Sequence, residues 1–136
     1  MKYYKYIFSV LSGIFIAAII ILPLEQIIYK FFPTPSNIDL NNLDEINKHV
    51  GELPYTAFIL EALCYALGAF MGGVVATLSS NRNQIYPALI VGSALAIGGL
   101  FNPGPMLFNL FSIFVYIPFS LLGYLLSKIK KQKDFY

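Results

Sequence analysis

The chain has 136 residues, of which 57% are hydrophobic and 12% are charged, and its mean hydropathy is +0.68. Soluble domains carry about 25% charged residues, so this composition excludes an ordinary water-soluble protein and predicts an integral membrane protein. The net charge of +2 is small and the basic residues do not follow one exposed face, which argues against nucleic-acid binding. We expect a single domain, residues 1–136, because four spans of about 20 residues leave no room for a separate catalytic domain.

The first apolar run covers residues 6–24 and follows the basic residues Lys2 and Lys5. It is longer than the roughly 7–15-residue core of a signal peptide, and no A-x-A cleavage motif precedes Glu25. The apolar helical pattern also continues to Phe31. We therefore predict a retained first span whose helix extends beyond the lipid.

Residues 32–56 are polar and form the one sizeable loop of the predicted topology. The loop opens with Pro33, Thr34 and Pro35, which stop a helix. Within it, Asn42 is a predicted N-cap with Glu45 at the reciprocal position. The short amphipathic helix that follows has an apolar face made of Leu43, Ile46, Val50 and Leu53. Such a helix would lie on the membrane surface or over the bundle.

Three more apolar runs predict three more spans, at residues 57–78, 85–101 and 106–126. Their connections are short, at residues 79–84 and 102–105. The predicted fold is therefore all-α, a transmembrane four-helix bundle with one larger extracytoplasmic loop.

The distribution of lysine and arginine predicts the orientation. Four crossings put seven of the nine basic residues on one side of the membrane, and that side is the cytoplasm. Both termini are then cytoplasmic, and the loop at residues 32–56 is acidic and faces outward. The seven residues are Lys2, Lys5, Arg82, Lys128, Lys130, Lys131 and Lys133.

Small residues at helical spacing predict the faces through which the spans pack. Between helices in lipid the hydrophobic effect gives no drive, so association depends on close approach and on interhelical hydrogen bonds. We expect the second and third spans to pack closely on each other through such residues. The residues predicted to make helix contacts are Gly68, Gly72, Gly73, Gly92 and Ala96.

Glu61 is the acidic residue of the predicted second span, and its register with Tyr65 and Gly68 turns it toward the bundle interior. An acid near the centre of a membrane helix costs on the order of 3 kcal/mol, so its presence indicates a polar partner or a role. The carboxyl is either protonated or hydrogen-bonded, and Tyr65, Asn109 and Tyr116 are the predicted members of this polar cluster. A structural carboxyl at the bundle mouth is favoured over a group that handles protons or ions.

Glu25 and Asn102 are candidates for the outer mouth of the bundle, with Glu25 at the end of the first span. His49 is the only histidine and stands in the polar loop, which is a weak metal signal. Cys64 is the only cysteine and is interpreted as a small buried hydrophobe. No metal and no cofactor are expected.

The order of these features resembles a family of small bacterial four-span membrane proteins that have no assigned activity. The family's relatives often have Pro-His-Pro in the outer turn, where this chain has Asn102 to Pro105. The resemblance implies a fold and a bacterial cytoplasmic membrane location, and it implies no activity. The matching pieces are Glu25, Pro33 to Pro35, Leu53-Pro54, GAFMGG at Gly68 to Gly73, Gly92, Asn102 and VYIPFSLLG at Val115 to Gly123.

Two functional hypotheses remain in view, and an intramembrane enzyme is a third and weaker one. The favoured hypothesis is a non-enzymatic structural or accessory membrane component, because the sequence has no nucleophile–base constellation, phosphate loop or metal cluster. The alternative is a small proton- or cation-coupled transporter that acts as an oligomer, with Glu61 as its titrating site. The expected partners are the lipid bilayer and either a second copy of the chain or another membrane protein.

Overall fold

The structure is a computed structural model that describes residues 2–80, 84–102 and 106–133. Within these ranges helices are the only regular secondary structure and there is no strand, which confirms the all-α part of the predicted fold. Arg82 and the turn residues 103–105, which entered the predicted topology, lie outside the described residues. The five helices are α1 (Lys2–Phe31), α2 (Leu43–Gly51), α3 (Tyr55–Ser79), α4 (Tyr86–Leu100) and α5 (Met106–Lys133).

Three helices of the described ranges are long and apolar enough to cross a membrane, and they lie at Tyr3–Phe31, Tyr55–Ser79 and Met106–Lys130. This finding supports the prediction of a membrane protein. The third predicted span, residues 85–101, corresponds to α4, which is apolar but has only 15 residues. A helix of that length is about 22 Å long, shorter than the roughly 30 Å hydrocarbon layer.

α1 and α3 pack side by side and run in opposite directions. Gly13 of α1 lies against Gly72 of α3, whereas Ile21 lies against Gly68, nearer the start of α3. A Cβ added at Gly13 would stand 2.6 Å from the Gly72 carbonyl oxygen, so the two backbones meet without side chains between them. Small residues at both positions make this approach possible.

α3 and α5 also pack closely, and they run in the same direction. The ring of Phe58 in the first turn of α3 lies 5.0 Å from the ring of Phe108 in the first turn of α5. Further along both helices, Gly73 lies against the backbone of Ser120.

α4 and α5 run in opposite directions and are joined by a buried hydrogen bond. The Ser120 hydroxyl donates to the carbonyl oxygen of Ala88 over 2.6 Å. Near the other end of α4, a Cβ added at Gly99 would stand 3.1 Å from the Ser112 hydroxyl oxygen. The four apolar helices therefore alternate in direction along the chain. α1 and α4 point one way, and α3 and α5 point the other way.

The interior of the helix assembly is rich in small residues, and its surface is rich in large apolar ones. Ala17, Ala69, Ala76 and Ala88 are fully buried, whereas Phe15 is 66% exposed. This distribution suits lipid, because lipid tails solvate large apolar side chains while small residues let helices approach. Other exposed apolar residues include Phe8, Leu11, Leu63, Leu67, Ile97, Phe114, Leu122 and Leu125.

α3 and α4, the second and third predicted spans, do contact each other, but of the three glycines predicted to join them only Gly72 lies against the other helix, at Val91. Gly68 packs on α1, Gly72 packs on α1 and on Val91 of α4, and Gly92 packs on α5. Ala96 is buried in the core cluster that includes aromatic residues of α3 and α5. Small residues occupy more than one face of α3, so their spacing indicates that the helix is packed but not which helix it meets.

α2 begins after Asn42, whose side-chain oxygen accepts a hydrogen bond from the Asp44 N–H at 3.1 Å. Glu45 does not accept the hydrogen bond from the Asn42 N–H that a reciprocal cap would have. That N–H donates to the carbonyl oxygen of Asp39 at 3.0 Å. Instead, Glu45 accepts a hydrogen bond from the Asp39 N–H at 2.9 Å. Asn42 thus satisfies a backbone N–H at the start of α2, and Glu45 satisfies one in the turn before it.

Candidate functional site

Polar side chains of four helices converge at one end of the assembly, where α1 and α4 end and α3 and α5 begin. Glu25 lies on α1, and Glu61 and Tyr65 lie one turn apart on the same face of α3. Asn102 follows α4, and Asn109 lies in the first turn of α5. This end is named the acidic end after its two glutamates.

Tyr65 is the centre of the acidic end and is 4% exposed. Its hydroxyl lies within hydrogen-bonding range of the Glu25 carboxylate and is the donor of that pair. The same oxygen lies 3.3 Å from the amide nitrogen of Asn102, from which it accepts a hydrogen bond. Its ring stacks on Tyr116 of α5, with 5.1 Å between centroids and 28° between planes. Tyr65 therefore contacts side chains from three neighbouring segments at once.

The two asparagines extend this network to α5. The Asn109 side-chain amide donates to the carbonyl oxygen of Asn102 over 2.9 Å. The Ser112 hydroxyl, one turn further along α5, donates to the Asn109 carbonyl at 2.6 Å. Hydrogen bonds thus link Glu25, Tyr65, Asn102 and Asn109, with Asn102 using its side-chain amide toward Tyr65 and its backbone carbonyl toward Asn109. The Tyr65 hydroxyl both donates and accepts, so its two bonds strengthen each other in a low-dielectric environment.

Glu61 joins the acidic end through charge. It is half-buried, and it lies close enough to Glu25 for the two carboxylates to repel each other. Tyr29 of α1 also lies within electrostatic range of both glutamates. Lys30 is five residues beyond Glu25, which places it about 140° around α1 and away from that face. Two carboxylates within electrostatic range of each other favour protonation of one of them or the approach of a cation.

The structure gives Tyr65 a different partner from the one expected. The sequence analysis placed Tyr65 among the partners of Glu61, but a hydroxyl has one hydrogen, and that of Tyr65 goes to Glu25. The reason lies in α1, which continues without a break past Leu24 to Phe31. Glu25 therefore stays in register with Ile21, which contacts α3 one turn earlier.

The remaining predicted members lie in the same neighbourhood. Asn102, predicted for the outer mouth, contacts Tyr65 directly, whereas Asn109 contacts the backbone of Asn102. Tyr116 is 3% exposed and contacts Tyr65 through its ring. The predicted intramembrane cluster and the predicted outer mouth are thus one group of residues in the structure.

Sequence reasoning missed two aromatic residues of the acidic end. Tyr29 stands four residues after Glu25 in the part of the first helix predicted to extend beyond the lipid, so the i, i+4 spacing could have identified it. Phe108 packs between Phe58 and Tyr65, at centroid distances of 5.0 and 6.5 Å. Phe108 is an apolar residue within an apolar run, so the sequence does not indicate that it belongs to the acidic end.

Among the described residues, no group of three or more histidine, cysteine, aspartate and glutamate side chains is arranged to hold a metal ion. Cys64 is a buried free thiol. Comparison of the chain with protein-family models, with curated proteins and with solved structures gives no match. The proposals below therefore rest on the residues of this chain alone.

Proposed function

We propose that the chain crosses the cytoplasmic membrane of a bacterium four times as a single four-helix bundle, with both termini in the cytoplasm. The alternating directions of α1, α3, α4 and α5 support this topology, as does the clustering of basic residues near the two termini. The acidic end is then the outer end. It is followed by a larger extracytoplasmic loop, residues 32–56.

The short helix α4 fits this topology because its outer end is held inside the protein. Asn102 bonds to Tyr65, which lies ten residues into α3, about 15 Å from the start of that helix. Irregular backbone is tolerated at membrane depth where protein groups or a water-lined cavity satisfy it. α4 can therefore end below the outer surface and still complete a crossing.

Reporter fusions test the topology. Alkaline phosphatase fused after Tyr136 is expected to be inactive, and a fluorescent protein fused there is expected to fluoresce. Phosphatase inserted after Asn37, in the loop at residues 32–42, is expected to be active. Phosphatase activity at Tyr136 would refute the proposed orientation.

We propose that the protein is a non-enzymatic structural or accessory component of the membrane. The observation that carries this proposal is the commitment of the polar groups at the acidic end to one another. The Tyr65 hydroxyl donates to Glu25 and accepts from Asn102, and the Asn109 amide is bonded to Asn102. Groups used in this way tie helices together. The proposed partners are the bilayer and either a second copy of the chain or another membrane protein.

Glu61→Gln tests this function, because glutamine keeps a hydrogen-bond acceptor and removes the charge. A structural or accessory protein is expected to keep its stability and the set of proteins that co-purify with it from native membranes. Glu52→Gln, an exposed acid outside the helices, is the matched control. Loss of the co-purified set in Glu61→Gln alone would contradict a purely structural role for this acid.

A second candidate function is a small proton- or cation-coupled transporter that acts as an oligomer, with Glu61 as the titrating site. The observation in its favour is that Glu61 is half-buried beside Glu25 while the Tyr65 hydrogen is used by Glu25. In this case Glu61→Gln is expected to remain folded and to lose pH-dependent binding of a lipophilic cation such as tetraphenylphosphonium. Unchanged pH-dependent binding in Glu61→Gln, or its absence in the wild type, would count against the transporter.

A further inference from the structure

α2 differs from the other helices because its backbone does not pack closely against any of them. Within the described ranges, no Cα atom of Leu43–Gly51 comes within 8 Å of a Cα atom of α1, α3, α4 or α5, and no residue of α2 is buried. Nevertheless, α2 is amphipathic. Leu43, Ile46 and Val50 share one face, while Asp44 and Lys48 lie on the opposite one. Leu43 is 69% exposed, whereas Ile46 and Val50 are partly covered, so this face is most open at Leu43.

The connections of α2 keep it close to one end of α3. α3 has 25 residues and is about 38 Å long, so it extends past a hydrocarbon layer of roughly 30 Å. Only residues 52–54 separate Gly51 from Tyr55, which limits the gap between α2 and α3 to about 14 Å. α2 therefore cannot move far from the outer end of α3.

The helix ends on both sides of α2 expose large apolar side chains. Phe31, the last residue of α1, is 74% exposed, and Tyr55, the first residue of α3, is 87% exposed. Aromatic residues at such positions are typical of the membrane–water interface. Leu40, just before the cap of α2, is 70% exposed as well. Large exposed apolar residues thus stand at the end of α1, before the cap of α2 and at the start of α3.

We propose that α2 is an interfacial helix that lies flat in the outer headgroup layer, with Leu43, Ile46 and Val50 turned toward the acyl chains. The choice of leaflet rests on the proposed four-span topology. The polar face carries Asp44 and Glu45 besides Lys48, so attraction to anionic lipids does not hold it there. The contact is made by apolar side chains, and a zwitterionic surface of phosphatidylcholine is sufficient.

Single tryptophans test the proposal, because the chain contains no tryptophan of its own. Leu43→Trp and Ile46→Trp place the fluorophore on the apolar face of α2, and Lys48→Trp is the matched control on the polar face. Each full-length variant is reconstituted into phosphatidylcholine vesicles with or without bromine on the acyl chains. Phe15→Trp, on the exposed face of α1, reports whether the long helices are in the bilayer.

We expect brominated lipid to quench Leu43→Trp and Ile46→Trp and to leave Lys48→Trp bright. The emission of the first two variants should lie at shorter wavelength than that of Lys48→Trp. Quenching by added iodide, which stays in water, should show the reverse order. Sodium chloride should not change this pattern.

Two results would overturn the interfacial helix. Equal iodide quenching at Leu43, Ile46 and Lys48 would place α2 in water, and protection from both quenchers would place its face against protein. Both results require Phe15→Trp to be quenched by brominated lipid in the same preparation. If Phe15→Trp is not quenched, the membrane-span proposal itself is wrong.

Discussion

Gly73→Ala is the sharpest test of the packing, because it adds one methyl group at the contact of α3 with α5. The added Cβ would collide with the Ser120 carbonyl oxygen and lie 2.8 Å from the Ser120 carbonyl carbon. These are backbone atoms of a helix, so no side-chain rotation can relieve the contact. The two helices must therefore move apart. Overpacking of this kind costs about 1–3 kcal/mol, and we expect a value in the upper part of that range.

Gly98→Ala is the matched control, since Gly98 lies inside α4 and no atom stands within 4 Å of the Cβ it would gain. Replacing a helical glycine by alanine stabilises a helix by about 0.5–1 kcal/mol. Both variants share this gain, so the difference between their free energies of unfolding isolates the cost of the collision.

The assay is reversible unfolding of the purified protein by SDS in mixed micelles, followed by far-ultraviolet circular dichroism. We expect Gly73→Ala to unfold at lower SDS than the wild type, and Gly98→Ala to unfold at equal or higher SDS. If Gly73→Ala proves as stable as Gly98→Ala, α3 and α5 do not approach each other at Gly73.

The same assay checks three further expectations. Tyr65→Phe removes a donor and an acceptor from the acidic end and should cost about 1–3 kcal/mol, whereas the exposed Tyr55→Phe should change little. Gly123→Ala should also destabilise, and the double variant with Gly73→Ala should lose less than the sum, because one separation of α3 from α5 accommodates both methyl groups. Asn42→Ala should speed hydrogen exchange in α2 without shifting the SDS midpoint, since the backbone of α2 does not pack closely against any other helix of the described ranges.

The sequence predicts the helices of this fold because each helix has a local pattern, either an apolar run or a capping residue. The apolar runs locate α1, α3, α4 and α5, and Asn42 marks the start of α2. The lengths are less well predicted, because the polar ends of a membrane helix leave no apolar signal. α5, for example, continues to Lys133, seven residues beyond the predicted end of the last span at residue 126.

Local sequence patterns do not indicate which helices pack against each other. Gly72 and Gly73 are neighbours in the sequence, yet Gly72 meets α1 and α4, while Gly73 meets α5. Consecutive residues on a helix point about 100° apart, so a pair of glycines serves two interfaces. Which helix lies on each side depends on how all four long helices cross, and no single stripe carries that information.

The two glutamates show the same limit, because the sequence singles out Glu61 by its place within an apolar run but leaves its neighbours open. In the structure, Tyr65 donates its one hydrogen to Glu25, so the two acids are not equivalent. Glu25→Ala should therefore leave a buried hydroxyl without an acceptor and cost about 1–3 kcal/mol.

Glu61→Ala spares the hydrogen bond between Tyr65 and Glu25 and removes the repulsion between the two carboxylates, so it should leave the free energy of unfolding unchanged or raise it. SDS unfolding of the two alanine variants, side by side, makes the comparison. Glu25→Gln is the control, because its amide oxygen still accepts from Tyr65 and its stability should stay near that of the wild type. Equal losses in Glu25→Ala and Glu61→Ala would show that both acids hold the acidic end together. In that case Glu61 would no longer be the acid left free to take up a proton or a cation.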